Sequence, residues 1–224
     1  MYITPDATFV MPRKISGARK VAKGRRNHFT GQMVLGTADD PCHLDFESHT
    51  EYMTCLCLIA RMDVVAIENQ VPCEWTKPDG NKATHYFDFR VSHDDGTRVA
   101  IMVKGSHRTE SARLMGELET IAAEVPASFA EDVVLMTEDD LDPIDLHNAV
   151  MFHEMRQDEP IIDAAARRVL QTLQGAIRIQ DFQHLVGFDG QGFRAIVRLL
   201  RCGELETIHH ERIGENTLVR RSAN

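Results

Sequence analysis

Residues 84–104 read THYFDFRVSHDDGTRVAIMVK. Thr84 to Val91 alternates, with Phe87 and Phe89 on either side of Asp88. Asp94-Asp95-Gly96 marks a turn, and the Val- and Ile-rich run from Thr97 to Lys104 reads as the next strand. A period of two puts Met102 and Lys104 on one face of it. Upstream, Val71 to Trp75 and Thr84 to Val91 flank Pro78-Asp79-Gly80-Asn81, which predicts a hairpin. Val64-Val65-Ala66-Ile67 is a shorter β-rich run, and from Ser48 to Met62 the apolar residues Met53, Leu56, Cys57 and Ala60 have helical spacing. Downstream, residues 109–124 read as a helix and Val133-Val134-Leu135 as a strand. Helix, strand, hairpin, strand, helix, strand describes an α/β domain with a mixed sheet flanked by helices.

The C-terminal part has another rhythm. Ile161 to Leu173 is a helix with Ala164, Ala165, Val169 and Leu173 on its apolar side. Ile177–Ile179 is a short extended run, and Gln180 to Val186 a short helix ended by Gly187. Asp189 is placed to cap a helix to about Cys202, stopped by Gly203. Leu205–His209 and Thr217–Arg220 then bracket Gly214-Glu215-Asn216 as a hairpin. Two helices joined by a short Gly-containing turn, a short strand before them and a hairpin after, have the order of a winged helix.

The chain has 224 residues and a formal charge of −9, a balance that taken whole argues against a polyanion partner. The charge is segregated, however. Residues 1–26 carry +6, residues 27–130 carry −8, residues 131–159 carry −9 and residues 160–224 carry +2. Residues 1–30 therefore read as a basic arm, and the like-charged stretch 136–160, punctuated by Pro143 and Pro160, as an acidic connector between domains at 31–135 and 161–224. With 43% hydrophobic and 26% charged residues the composition is globular. The longest apolar run, Cys55 to Ala60, is too short to span a bilayer, and no apolar segment follows the basic N-terminus, so a cytoplasmic protein is expected. Five scattered cysteines, Cys42, Cys55, Cys57, Cys73 and Cys202, lack zinc-ligand spacing and read as small buried thiols in a reducing compartment. His209-His210 reads as solvated residues of the hairpin.

Three elements of the first domain belong together. The helix carries Glu47 and Glu51 four apart, hence on one face; the hairpin strand carries Asp88; the next strand ends in Lys104. This layout resembles the PD-(D/E)XK nuclease core. Mg²⁺ or Mn²⁺ wants carboxylate and water oxygens, and a lysine beside it orients the nucleophile or stabilises charge. With Gln70 added, the pattern resembles the TnsA-like transposon endonucleases. Glu51, Gln70, Asp88-Phe89 and Lys104 stand where that family carries a helical Glu, a Gln ending the next strand, Asp-Phe and Glu/Gln-x-Lys. The resemblance covers about residues 40–125. It implies a restriction-endonuclease-like domain, a C-terminal winged helix, and a subunit that nicks double-stranded DNA at transposon ends beside a separate transposase. On it, Glu51, Asp88 and Lys104 are catalytic, and Asp88, Glu51 and the Val103 carbonyl hold Mg²⁺ or Mn²⁺. The chain departs from the family at Met102, which replaces the Glu/Gln with a soft thioether, and at Phe87, which replaces a Pro. Glu47 and Glu110 are candidate substitutes for the missing acid. A non-catalytic DNA-binding, assembly or regulatory protein with a degenerate nuclease fold is the alternative reading.

In the second helix of the C-terminal pair Gln191, Arg194, Arg198 and Arg201 fall at spacings of three and four, on one polar face suited to base edges or phosphates. Arg212, Arg220 and Arg221 near the hairpin, and Arg13, Lys14, Arg25 and Arg26 in the arm, suit phosphate contacts.

Overall fold

The structure, a computed structural model, describes residues 2–3, 9–14, 29–36 and 40–223. It is α/β, with mixed sheets flanked by helices, and divides into two compact units. One comprises Met1–Leu58 and Asp63–Leu141, the other Ile59–Met62 and Asp142–Asn224.

The first unit opens with β1 (Tyr2–Ile3) antiparallel to β2 (Phe9–Val10). Its second sheet has the order β3-β5-β4: β3 (Arg13–Lys14) runs parallel to β5 (Pro41–Phe46), and β4 (Gly31–Gly36) antiparallel to it. Within residues 1–30, read as a basic arm, the described parts include the short strands β1, β2 and β3, and the β4–β5 pair was not foreseen. After α1 (His49–Ala60) come β6 (Val64–Thr76), β7 (Lys82–His93) and β8 (Arg98–Val103), each antiparallel to the last. The short helix α2 (Ser106–Thr109) and α3 (Ala112–Glu124) cross over to β9 (Asp132–Met136), which lies parallel on β8, as a helical crossover requires. The sheet order is β6-β7-β8-β9.

The two β-rich runs before the hairpin are one strand, interrupted twice. The register shifts between Val64 and Ala66, and Gln70 adopts φ 53°. Opposite Gln70, Phe87 and Phe89 part company. Phe87 packs with Trp75, Met102, Leu118 and Ile121 under α3, while the ring of Phe89 lies 6.4 Å from that of Phe46. Asp88 sits at this break in the alternation.

In the second unit α4 (Pro143–Glu154), α5 (Pro160–Thr172), α6 (Ile179–Val186) and α7 (Asp189–Arg201) accompany a three-stranded antiparallel sheet. Its order is β10 (Ala176–Arg178), β12 (Leu218–Arg221), β11 (Leu205–Thr207). Ala166, Leu170, Phe182, Ile196, Leu199 and Val219 form its core.

Residues 136–160, read as an acidic connector, are folded, and several of their carboxylates accept hydrogen bonds that fix the chain there. The Asp140 carboxylate accepts from the Thr137 amide and hydroxyl in the 3-10 turn Glu138–Asp140. Asp142 caps α4, accepting from the amides of Ile144 and Asp145, and Pro143 and Pro160 occupy first helical turns. Proline there starts a helix rather than ending one. Asp189, expected as a cap, lies inside α7 at φ 46° after Phe188 at φ 64°, and no side chain caps that helix. Cys202 is exposed rather than buried. No helix among the described residues is long and apolar enough to cross a membrane.

Candidate functional site

The β7–β8 ladder runs from Ser92↔Arg98 to Phe89↔Ile101 and stops. Beyond it the Asp88 side chain takes the place of a rung, its Oδ2 accepting from the Val103 amide at 2.7 Å. The same oxygen lies 3.4 Å from Lys104 Nζ, and Oδ1 accepts from Gln70 Nε2 at 3.4 Å. Asp88 and Gln70 are 8% and 2% exposed. A left-handed φ costs a non-glycine residue about 1–2 kcal/mol, and such strain gathers at functional positions. Here it coincides with the residue whose amide reaches Asp88. The neighbouring Asn69 donates to the Asp88 carbonyl at 3.2 Å.

Glu51 stands in the first turn of α1 and is 5% exposed. Ser48 accepts from the Glu51 amide (3.1 Å) and donates to its Oε1 (2.9 Å), and the Glu47 amide donates to Oε2 (3.0 Å). Burial first, and the charge of Asp88 second, push the Glu51 carboxyl up to about 7, against the pull of those hydrogen bonds. Two carboxylates facing one another with Lys104 as the nearby cation suit a divalent ion, whose charge offsets their repulsion.

The oxygens that could hold such an ion are those of Asp88, Glu51 and the Val103 carbonyl. That carbonyl accepts from Lys104 Nζ at 2.8 Å. Met102, 2% exposed, is turned into the core under α3 and contributes no ligand. All the predicted catalytic and supporting residues but Met102 line one cleft of about 690 Å³. Of the candidate substitutes, Glu47 lines it and Glu110, exposed at the end of α2, does not.

The cleft also contains residues that the sequence reading passed over, among them His85, His107 and Arg108. His85 stacks edge-on against Phe87, ring centroids 4.9 Å apart. Burial, and then Lys104, pull its pKa below the usual imidazole value. The signal for α2 was local: a Gly and a Ser directly after the strand lysine mark a strand end followed by a turn.

Among the DNA candidates, Gln191 and Arg194 on α7 and Arg220 and Arg221 on β12 are exposed. Arg220 pairs with Glu206. Arg201 is half-buried, and desolvation lowers its pKa. Arg198 is a correction: 9% exposed, it donates to Asp163 Oδ1 through Nε (2.8 Å) and Nη2 (2.6 Å) and to the Met155 carbonyl (3.2 Å). It is a core ion pair, not a reading residue. Arg13 and Lys14 are in β3, paired with Asp40 and Asp45; Arg25 and Arg26 lie outside the described residues. Elsewhere, Asp142, Asp145 and His210 converge at the surface of the second unit, His210 Nε2 lying 2.8 Å from Asp145 Oδ1.

No protein-family model matches the chain, and no curated protein is recognisably similar to it.

Proposed function

We propose that this chain is a metal-dependent DNA endonuclease subunit. In this reading the first unit is a restriction-endonuclease-like, TnsA-like nuclease domain, the second a winged-helix DNA-binding domain, and a transposase the partner. One observation carries it: Asp88 replaces a rung at the open end of the β7–β8 ladder and there meets Lys104, Gln70 and the charge of Glu51.

Asp88 and Glu51 are the residues that would hold Mg²⁺ or Mn²⁺, with the Val103 carbonyl as a third oxygen. Once bound, that ion supplies Lewis acidity at the scissile phosphate. Gln70 and the Val103 amide fix the Asp88 carboxylate, so it needs little rearrangement to act. Lys104 puts a positive charge beside the attacking water, whose oxygen bonds to phosphorus as the phosphorus–oxygen bond to the leaving strand breaks. For the second unit, the order α5-β10-α6-α7-β11-β12 with β12 central supports a winged helix; Gln191, Arg194, Arg220 and Arg221 are its exposed candidates for double-stranded DNA, Arg194 lying 4.0 Å from Glu159 and Arg220 paired with Glu206.

The burial of Met102 in an apolar cluster favours a second reading, a DNA-binding or assembly protein whose nuclease site is impaired. Plasmid nicking with Mg²⁺ or Mn²⁺ separates the two. Wild type nicks and Asp88→Ala and Lys104→Ala do not, if the site is catalytic. Equal cleavage by wild type and both variants would sink the assignment, and no cleavage with DNA binding intact would favour the second reading.

A further inference from the structure

Resting on the reading of the cleft as a phosphodiester site, we propose that Arg108 holds the phosphate next to the scissile one. The substrate is then a polynucleotide strand gripped at two successive phosphates, not an isolated phosphodiester.

Arg108 lies four residues beyond Lys104, on the short helix α2, and lines the same cleft as Asp88 and Glu51. Lys104 and Arg108 are the two lysine or arginine residues lining it, and they are used differently. Lys104 Nζ is bound to the Val103 carbonyl and to Asp88. The Arg108 guanidinium is exposed and makes no ion pair among the described residues, although Glu47, Glu51 and Asp88 line the same cleft.

The backbone carrying Arg108 is tightly held. The Ser106 amide donates to both oxygens of Glu138 (3.1 and 3.0 Å) and its hydroxyl to Oε1 (2.9 Å). Glu138 opens the 3-10 turn that Thr137 and Asp140 cap reciprocally. Thr109 Oγ1 donates to the Ser106 carbonyl at 2.6 Å, and the Arg108 amide to that of Gly105 at 2.8 Å. A fixed backbone carrying an uncommitted guanidinium at the mouth of an anion-processing cleft is preorganised for a planar, two-oxygen ligand, and phosphate matches the guanidinium fork.

The test compares wild type, Arg108→Ala, Arg108→Lys and Asp88→Ala, with Mn²⁺, on plasmid DNA and on bis(p-nitrophenyl) phosphate, which has no neighbouring phosphate. Loss of a charge-assisted contact is expected to raise the KM of Arg108→Ala for DNA about tenfold to a hundredfold. Its kcat/KM on the small diester should stay within about twofold of wild type, since that substrate offers Arg108 nothing to bind. Arg108→Lys should recover part of the loss, keeping the charge without the fork. A wild-type KM on DNA, or an equal loss on both substrates, overturns the role of Arg108. An inactive wild type, or Asp88→Ala as active as wild type, overturns instead the reading of the cleft.

Discussion

Glu51 ties the stability of the first unit to pH. Its carboxyl is lifted from 4.5 to about 7 by burial and by Asp88, which corresponds to about 3 kcal/mol at roughly 1.4 kcal/mol per pH unit. Below pH 4.5 the group is protonated in folded and unfolded chains alike and costs nothing. From 4.5 to about 7 the folded chain keeps a proton that the unfolded chain has released, so stability falls as pH rises. Above 7 the folded chain must hold the ionised group, and the full cost is reached. Glu51→Gln has no proton to exchange there. Urea unfolding followed by the fluorescence of Trp75, the one tryptophan and a core residue of this unit, measures the effect without divalent ions. The stability of Glu51→Gln relative to wild type should rise by about 3 kcal/mol between pH 4.5 and pH 8. Mn²⁺ at pH 8 should return about 2.7 kcal/mol to wild type at a hundred times its dissociation constant, and much less to the variant. A difference between the two proteins that stays constant within about 1 kcal/mol across the range, well below the linkage value, would refute the placement of Glu51 as a buried carboxylate facing Asp88.

Two further substitutions test the remaining geometry. Arg198→Ala should destabilise the second unit by about 3–5 kcal/mol, because it leaves Asp163 as an unpaired buried charge; Arg194→Ala should change stability by less than about 0.5 kcal/mol while weakening DNA binding. Helical circular dichroism on denaturation reads the first pair of outcomes, and a near-neutral Arg198→Ala would place that arginine at the surface. At position 70, Gln70→Gly should be about 1 kcal/mol more stable than Gln70→Ala, since glycine alone adopts φ 53° without strain. The reverse order would mean that the turn at Gln70 is absent in solution.

The parts of the fold read correctly from sequence are those written in local chemistry. Pro78-Asp79-Gly80-Asn81 and Asp94-Asp95-Gly96 specify turns whichever partners the strands find, and Gly187 and Gly203, at φ 76° and 72°, stop helices. Asp88, Lys104, Glu51 and Gln70 were found by their order along the chain, and they share one cleft. What was missed depends on distant partners. Helical spacing grouped Arg198 with Gln191 and Arg194, but α7 is buried almost all round in its C-terminal half, and the partner Asp163 lies 35 residues away. Charge counting treated residues 136–160 as mutually repelling, whereas Glu138, Asp140, Asp142 and Asp145 each act at short range on a particular amide, hydroxyl or imidazole. The break in alternation at Asp88 needs the left-handed Gln70 on the neighbouring strand, which nothing in a Gln signals.

The substitution of a side chain for a backbone rung at Asp88 gives one atom two duties. Its Oδ2 closes the sheet on the Val103 amide and would also serve the ion. An Asp88→Ala protein loses both at once, leaving a buried amide without an acceptor, while Asp88→Asn keeps an acceptor and gives up the charge. Lys104 is different: its Nζ contacts, Asp88 and the Val103 carbonyl, both belong to the cleft. Over generations, position 88 therefore answers to the sheet's own closure as well as to the cleft, while position 104 answers to the cleft and to the buried charge of Asp88. Asp88 is thus held in place by the backbone whether or not the cleft is used, and Lys104 by the charge it faces.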